Sequence, residues 1–424
     1  MSLTDTIQSP SIHKSADAAP PPRTRKQVIL GMLQFFCLCY GFFIMGWNDG
    51  TTGPLLPRIQ KVYHANFVIV SLLFVIYCIG VITGSLTNLF VADKLGIGKV
   101  LAIASSCQNV AYLLQAFALT FPIYIVCFAL AGFGVSFQIA HGCGFVAALK
   151  NPTKMGFLHA AYGLGALVSP LISTQFAQLK HWSYHYFISF ALSLLNTTLL
   201  ILIFKLQQQN ACLIEAGFDV PDTEKPTNDA GTLDSVKEIM KTKAVHLMAA
   251  FVFIYVGVEI TIGGWIVTYV LLFRNGGTLS GYVSTGFYGG IALGRVGLLW
   301  VNKKVGERRV LLIYAVLAIG LEFVVWFAPS LIADAVAVSL AGFFLGPMYS
   351  IAINECGRIL PPWILTNSIG WINAFGFTGS ALLPFMTGAI SQRWGIMSLQ
   401  PLMIIMMVTM SIFWLLMPKK ILGA

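Results

Sequence analysis

Apolar residues in this chain come in runs too long and too unbroken for the core of a water-soluble domain. Twelve stretches, at about 27–50, 66–92, 99–119, 122–147, 155–178, 184–206, 245–273, 279–302, 309–328, 332–354, 364–390 and 397–417, each reach the roughly 20 residues a helix needs to cross hydrocarbon. Backbone polar groups find no water in lipid and must bond within their own segment, so every run is predicted as a helix. The breaks between runs are short, with one exception. Residues 207–244 carry Glu215, Asp219, Asp222, Glu224, Asp229, Asp234 and Glu238 among lysines, together with Pro221 and Pro226. That stretch divides the runs six and six. The predicted organisation is therefore a disordered polar tail (1–26), a six-helix half (27–206), a cytosolic linker (207–244), a second six-helix half (245–418) and a short cytosolic tail (419–424).

Composition agrees with lipid as the main solvent. Hydrophobic residues make up 57% of the 424, charged residues only 10%, and the mean hydropathy is +0.79. Soluble domains carry about 25% charged residues. The net charge of +10 does not mark a nucleic-acid partner, because the basic residues are scattered through the breaks and form no dense face. With the N-terminus inside, 20 Lys and Arg fall in inner segments and 5 in outer ones, and Arg295 stands within a run. This bias places both termini in the cytosol, with the plasma membrane as the expected host. The first 26 residues lack the apolar core of a signal peptide. Seven of eight cysteines lie in apolar runs, with Cys212 alone in a polar loop, and no CxxC metal pair occurs.

The two halves repeat. At an offset of 210 residues Gly80 and Gly84 fall on Gly290 and Gly294, Lys94 and Gly96 on Lys304 and Gly306, and Leu130–Phe133 on Leu340–Phe343. With a further slip of four, Gly165, Pro170 and Gln178 fall on Gly379, Pro384 and Gln392. Small residues at such positions let helices approach closely. Two halves related by an axis along the membrane normal place a substrate site between them, near mid-membrane.

Asp93-Lys94-Leu95-Gly96-Ile97-Gly98-Lys99 and its copy Asn302–Arg309 are similar to the loops between helices 2–3 and 8–9 of the major facilitator superfamily. Asn48-Asp49 with Pro54–Pro57, Leu158–Gly165 with Ser169-Pro170-Leu171, Tyr255–Glu259 with Gly263-Gly264-Trp265, Gly294-Arg295, and Ile369-Gly370 through Gly388 resemble the fucose-permease-like branch in its fungal form. The resemblance implies an all-α membrane protein, with twelve transmembrane helices in two six-helix pseudo-symmetric halves around a central cavity. Bacterial fucose permeases carry an acid in helix 4 that takes part in proton coupling. The matching neighbourhood here, Phe137–His141, has no carboxylate, which leaves the sugar and the proton route open.

Charged groups inside a membrane are costly, roughly 2.5–3.5 kcal/mol each at a helix centre on insertion scales. Asp49 and Glu259 occupy equivalent points on the first helix of each half, 210 residues apart. In the fold this chain resembles those helices border the cavity, so both are candidates for proton coupling. An apolar cavity disfavours a charged carboxyl, so such a group can load and release a proton as the cavity opens to either side. The plainer alternative places Asp49 at the wet end of its helix. Arg295 has three readings: pairing with an acid, holding an anionic substrate, or snorkelling to the cytosolic interface as part of a gate with Asp93 and Lys94. Asn48, Gln138, His141, Tyr162, Trp265, Trp371 and Asn373 are the candidate substrate-binding groups, weighed against ordinary helix–helix hydrogen bonding. Glu355 and Arg358 form a local pair by spacing, and Glu322 receives no role.

No GxxxxGK[ST], GxSxG or HExxH motif occurs, which argues against ATP-driven transport and against an enzyme. No cofactor or metal is expected. The partners expected are a small-molecule substrate, protons and the lipid bilayer, with the chain a monomer. The leading function is a secondary transporter, a proton-coupled importer of a sugar or similar solute. The alternatives are an efflux carrier for organic compounds or secondary metabolites, and a receptor that binds solute without moving it.

Overall fold

A computed structural model of the chain describes residues 23–149, 151–218 and 237–418. The outer part of the predicted N-terminal tail, the middle of the predicted linker and the last six residues lie outside the described residues. Twelve membrane helices carry the fold. In the first half these are α1 (Arg25–Tyr63), α2 (Phe67–Leu95), α3 (Ile97–Ala116), α4 (Phe121–Ala148), α5 (Pro152–Ala177) and α6 (His185–Phe204). In the second they are α7 (Lys243–Phe273), α8 (Tyr282–Gly297), α9 (Glu307–Phe327), α10 (Leu331–Leu345), α11 (Pro362–Trp394) and α12 (Leu399–Leu415). No strand occurs among the described residues.

Two of the twelve predicted spans differ from single continuous helices. Residues 279–302 break at Leu298, and the helix resumes as Leu299–Val305. Gly286, Gly289, Gly290, Gly294 and Gly297 fill this stretch, and each glycine in a helix interior costs about 1 kcal/mol relative to alanine. Among the described residues eleven segments are long and apolar enough to cross a membrane by themselves, and α8 with its continuation Leu299–Val305 completes the second six-helix half. α10 likewise stops at Gly346-Pro347 and resumes as Met348–Ile359, because Pro347 has no N–H to continue the ladder. Cys212, expected in a polar loop, is buried on a short helix, Gln209–Glu215, where its carbonyl accepts the Gln34 side chain at 3.2 Å.

The 210-residue repeat is built into the packing. In the first half α1 packs on α5, α2 on α4 and α3 on α6; in the second α7 packs on α11, α8 on α10 and α9 on α12. Gly80 lies on the Ala129 carbonyl and Gly84 on the Phe133 backbone; Gly290 lies on the Ser339 carbonyl and Gly294 on the Phe343 carbonyl. Both members of each contact are 210 residues from their counterparts. A Cβ at any of the four glycines would collide with backbone, so only glycine lets these helices meet. The turns into α3 and α9 match as well: Gly96 and Gly306 have φ of 78° and 90°, a region that favours glycine.

The halves meet along α2–α11, α5–α8 and α1–α7. Helices alternate in direction, so the described chain begins and ends on one face, here the terminal face, and the other is the far face. Contacts between the halves concentrate toward the far face. The Phe67 amide donates to Gln392 Oε1 at 3.0 Å, Gln175 Nε2 bonds the Tyr282 hydroxyl, and Gln178 Nε2 donates to the Thr278 carbonyl. Gly53 of α1 abuts the Gly263 carbonyl of α7. Among the described residues, no side-chain hydrogen bond or ion pair joins the halves on the terminal side of the Cys78–Phe377 contact. Gly144, Gly156, Gly357 and Gly370, near the terminal ends of α4, α5, α10 and α11, have no atom within 4 Å of a would-be Cβ. The bundles are closed on the far face and parted on the terminal one.

Candidate functional site

Charge converges where α1, α5, α7 and α8 meet. In α1 and α5 the Tyr162 hydroxyl donates to Asp49 Oδ2 at 2.7 Å. This contact is set up by glycines: Gly46 lies on the Tyr162 carbonyl and Gly165 on the Phe43 carbonyl, so the two helix backbones nearly touch just below the acid. In α7 and α8, Glu259 faces Arg295, with Oε1 3.8 Å from Nη2. Glu259 is 7% exposed, and the Arg295 Nε also bonds the Gly346 carbonyl at 3.4 Å, where the α10 helix has ended. Of the three readings of Arg295, this geometry matches pairing with an acid.

Tyr288 stands within electrostatic range of both carboxylates, and Tyr255 beside Glu259 and Arg295. Tyr255 is also fixed by its hydroxyl bond to the Leu345 carbonyl, at 3.2 Å. Neither tyrosine was a candidate from sequence. The signal was present: Tyr255 precedes Glu259 by four residues and Tyr288 precedes Arg295 by seven, spacings that put each pair on one helical face.

The remaining candidates divide. Asn48 is 7% exposed, next to Asp49 in α1. His141 Nε2 meets Asn88 Oδ1 at 2.9 Å, tying α4 to α2. Tyr349 of the second α10 segment donates to Asn373 Oδ1 at 2.7 Å, and Trp371 packs against Phe375, its indole N–H without a partner among the described residues. Gln138 is turned into the first half, whereas Trp265 packs across the seam on Phe67 of α2, ring centres 5.7 Å apart. Gln138 donates to Gln108 at 2.7 Å inside the first half, among Ser105, Asn196 and Thr197, and Trp265 is fully buried with its N–H on the Pro384 carbonyl at 3.0 Å. Both side chains are engaged in contacts between helices. Lys94 is exposed at the terminal end of α2, and the Asp93 side chain lies outside the described ones.

Glu355 and Arg358 form more than a local pair. Arg358 reaches Glu307 at 2.8 Å and Glu355 at 3.6 Å, Arg308 reaches Glu355 at 3.2 Å, and Arg308 also holds the Met417 and Pro418 carbonyls. This network fastens the terminal ends of α9, α10 and α12. Glu322 of α9 is 1% exposed and has no hydrogen-bond partner among the described residues.

Two six-helix bundles facing each other across acids and an arginine in mid-membrane define a membrane transporter. The chain belongs to the Major Facilitator Superfamily, whose family model matches residues 38–384. It is similar to the "Bypass of stop codon protein 6" of Saccharomyces cerevisiae, 26% identical over 95% of this chain and 86% of that protein. It is also similar to the glucose/mannose transporter GlcP of Bacillus subtilis, 23% identical over 82% of this chain and 85% of the relative. The solved structure of the E. coli fucose:proton symporter FucP superposes with a TM-score of 0.61 at 16% identity, covering 93% of this chain and all of that one.

Proposed function

We propose that this transporter imports a neutral monosaccharide or similar small polar solute together with a proton, by alternating access. The observation that carries the reading is the unequal charge of the seam. Glu259 has Arg295 as its counter-ion, whereas Asp49 accepts from the Tyr162 hydroxyl and has no cation among the described contacts. Counted as ionised groups, these leave one net negative charge at the half-buried seam. An apolar surrounding disfavours that charge, and binding a proton removes it. A neutral solute with one proton then crosses as a unit, while an anionic solute meets the residual charge. The tyrosines and Trp371 offer flat apolar faces with polar edges, a chemistry suited to sugar rings. The names of the relatives, a glucose/mannose transporter and a fucose:proton symporter, point the same way.

The lysine and arginine bias supports the terminal face as cytosolic. The parted terminal side is then the inward-open state. A second reading, efflux of organic compounds, is favoured by one observation: α4 carries no carboxylate, and its His141 is bonded to Asn88. Uptake of a panel of labelled monosaccharides into proteoliposomes under an imposed pH gradient separates the two. Accumulation against the solute gradient, abolished by a protonophore, supports import with a proton. Movement of larger organic compounds alone, with no monosaccharide uptake, supports efflux.

A further inference from the structure

We propose that the first half holds one water molecule in its core, bound between the Gln138 and Asn196 side chains beside Gly41. There α1, α3, α4 and α6 surround a cluster of buried polar side chains, Ser105, Gln108, Gln138, Asn196 and Thr197. The hydrogen bonds within the cluster leave two amide oxygens over. The Gln138 N–H donates to Gln108 at 2.7 Å and the Asn196 N–H to the Ser105 hydroxyl at 3.2 Å. Gln138 Oε1 and Asn196 Oδ1 have no partner among the described residues, on side chains 3% and 0% exposed. Both oxygens look onto one spot: a Cβ at Gly41 would stand 3.2 Å from the first and 3.7 Å from the second. A cavity lies there, lined by the two amides and Gly41 together with Phe42 and Cys37. It gives the centre of a water about 10 Å³, room for one molecule.

The chemistry of the lining selects the occupant. A buried amide oxygen without a donor is costly, and two such oxygens face the same space here. The two O–H groups of a water supply both donors. Water also serves if either amide turns over, because it accepts as well as donates. A metal cation would meet two neutral oxygens, a thiol and otherwise apolar groups, too few ligands to replace its hydration shell. The internal repeat supplies the contrast. Gly41 and Gln138 correspond to Phe251 and Met348, 210 residues on. With the slip of four between α5 and α11 carried into α6 and α12, Asn196 and Leu200 correspond to Met410 and Trp414. All four counterparts are buried, and the Phe251 and Trp414 rings stand 5.2 Å apart. The second half thus puts rings and thioethers where the first half sets two amides around an opening.

The test uses the full chain, purified in detergent and equilibrated in heavy-oxygen water. Millisecond X-ray radiolysis turns a water held inside the fold into hydroxyl radical where it lies, and the radical labels the side chain beside it. Cys37 lines the cavity and is 3% exposed; Cys356 of the second half, 0% exposed, is the control. Heavy-oxygen uptake at Cys37 is expected to exceed that at Cys356 several-fold. Gly41→Ala sets a methyl beside the two oxygens and is expected to bring Cys37 down to the control. Asn196→Leu removes one of the oxygens and is expected to do the same, which keeps the test intact should the first variant not fold. Equal labelling of the two cysteines in the unsubstituted chain would overturn the proposal. So would Cys37 labelling that the folded variants leave unchanged, which marks bulk solvent at the thiol. Labelling that changes several-fold when sodium and potassium are exchanged for choline marks a cation in the site and overturns it too.

Discussion

The two halves share a backbone plan and differ in how they treat charge. At the seam the first half leaves its acid, Asp49, on a tyrosine, and the second half closes its acid, Glu259, onto Arg295. The position in α2 equivalent to Arg295 is Ser85. At the far-face corner the contrast recurs. Tyr124 of the first half stacks among Tyr63, Trp182 and Tyr186 and bonds the Tyr186 hydroxyl at 2.7 Å. Its counterpart 210 residues on is Asp334, held by Arg274 at 2.8 Å, with Arg274 also on the Val325 and Trp326 carbonyls. Duplication preserved the glycine contacts that fix helix spacing, and the polar chemistry on that frame diverged. The packing frame follows the 210-residue repeat, and the charge placed on it does not.

The strongest way to break the comparison is at the shared frame. Gly80→Val and Gly290→Val both force a side chain into backbone across the α2–α4 and α8–α10 contacts. Both are expected to abolish monodisperse folded protein on size exclusion, and tolerance of one alone would break the equivalence. Next come the corners. Asp334→Asn leaves Arg274 buried without its counter-ion and is expected to cost about 3–5 kcal/mol. Tyr124→Phe at the equivalent position removes one neutral hydrogen bond and is expected to cost about 1 kcal/mol. Thermal unfolding in one detergent measures both. At the seam, Arg295→Gln leaves the buried Glu259 without its cation 3.8 Å away and is expected to slow uptake. Glu259→Gln in the same chain is expected to recover part of that loss. The smallest effect lies outside the membrane: burial pushes the Cys212 thiol up to about 11. Maleimide labelling of a variant retaining only this cysteine is expected to be slow at pH 7 and to rise about tenfold per pH unit below that value, since only the thiolate reacts.

The architecture was legible because lipid imposes it: a chain must hide its backbone in long apolar helices, and such runs stand out in a sequence. The crossing that reads least cleanly, α8, is the one whose glycines serve close packing at the expense of helix continuity. The acids were legible for the same reason, since charge in an apolar run is rare. Their partners were not. Tyr162 was a candidate by depth, but its bond to Asp49 spans 113 residues and exists only once α1 and α5 touch. Gln138 shows the remaining difficulty. Depth follows from position along a run, whereas rotation about the helix axis does not. A helix that is apolar on every side carries no stripe to mark which face looks inward. Lipid-facing and protein-facing surfaces are alike in composition, and packing alone decides between them.

The claim that Asp49 carries the coupled proton is tested most directly by recording proton entry with a pH dye inside proteoliposomes as sugar is added, comparing the unsubstituted chain with Asp49→Asn. The account predicts sugar-driven proton entry in the former and none in the latter, with sugar exchange retained in both. Equal proton entry in the two would contradict it.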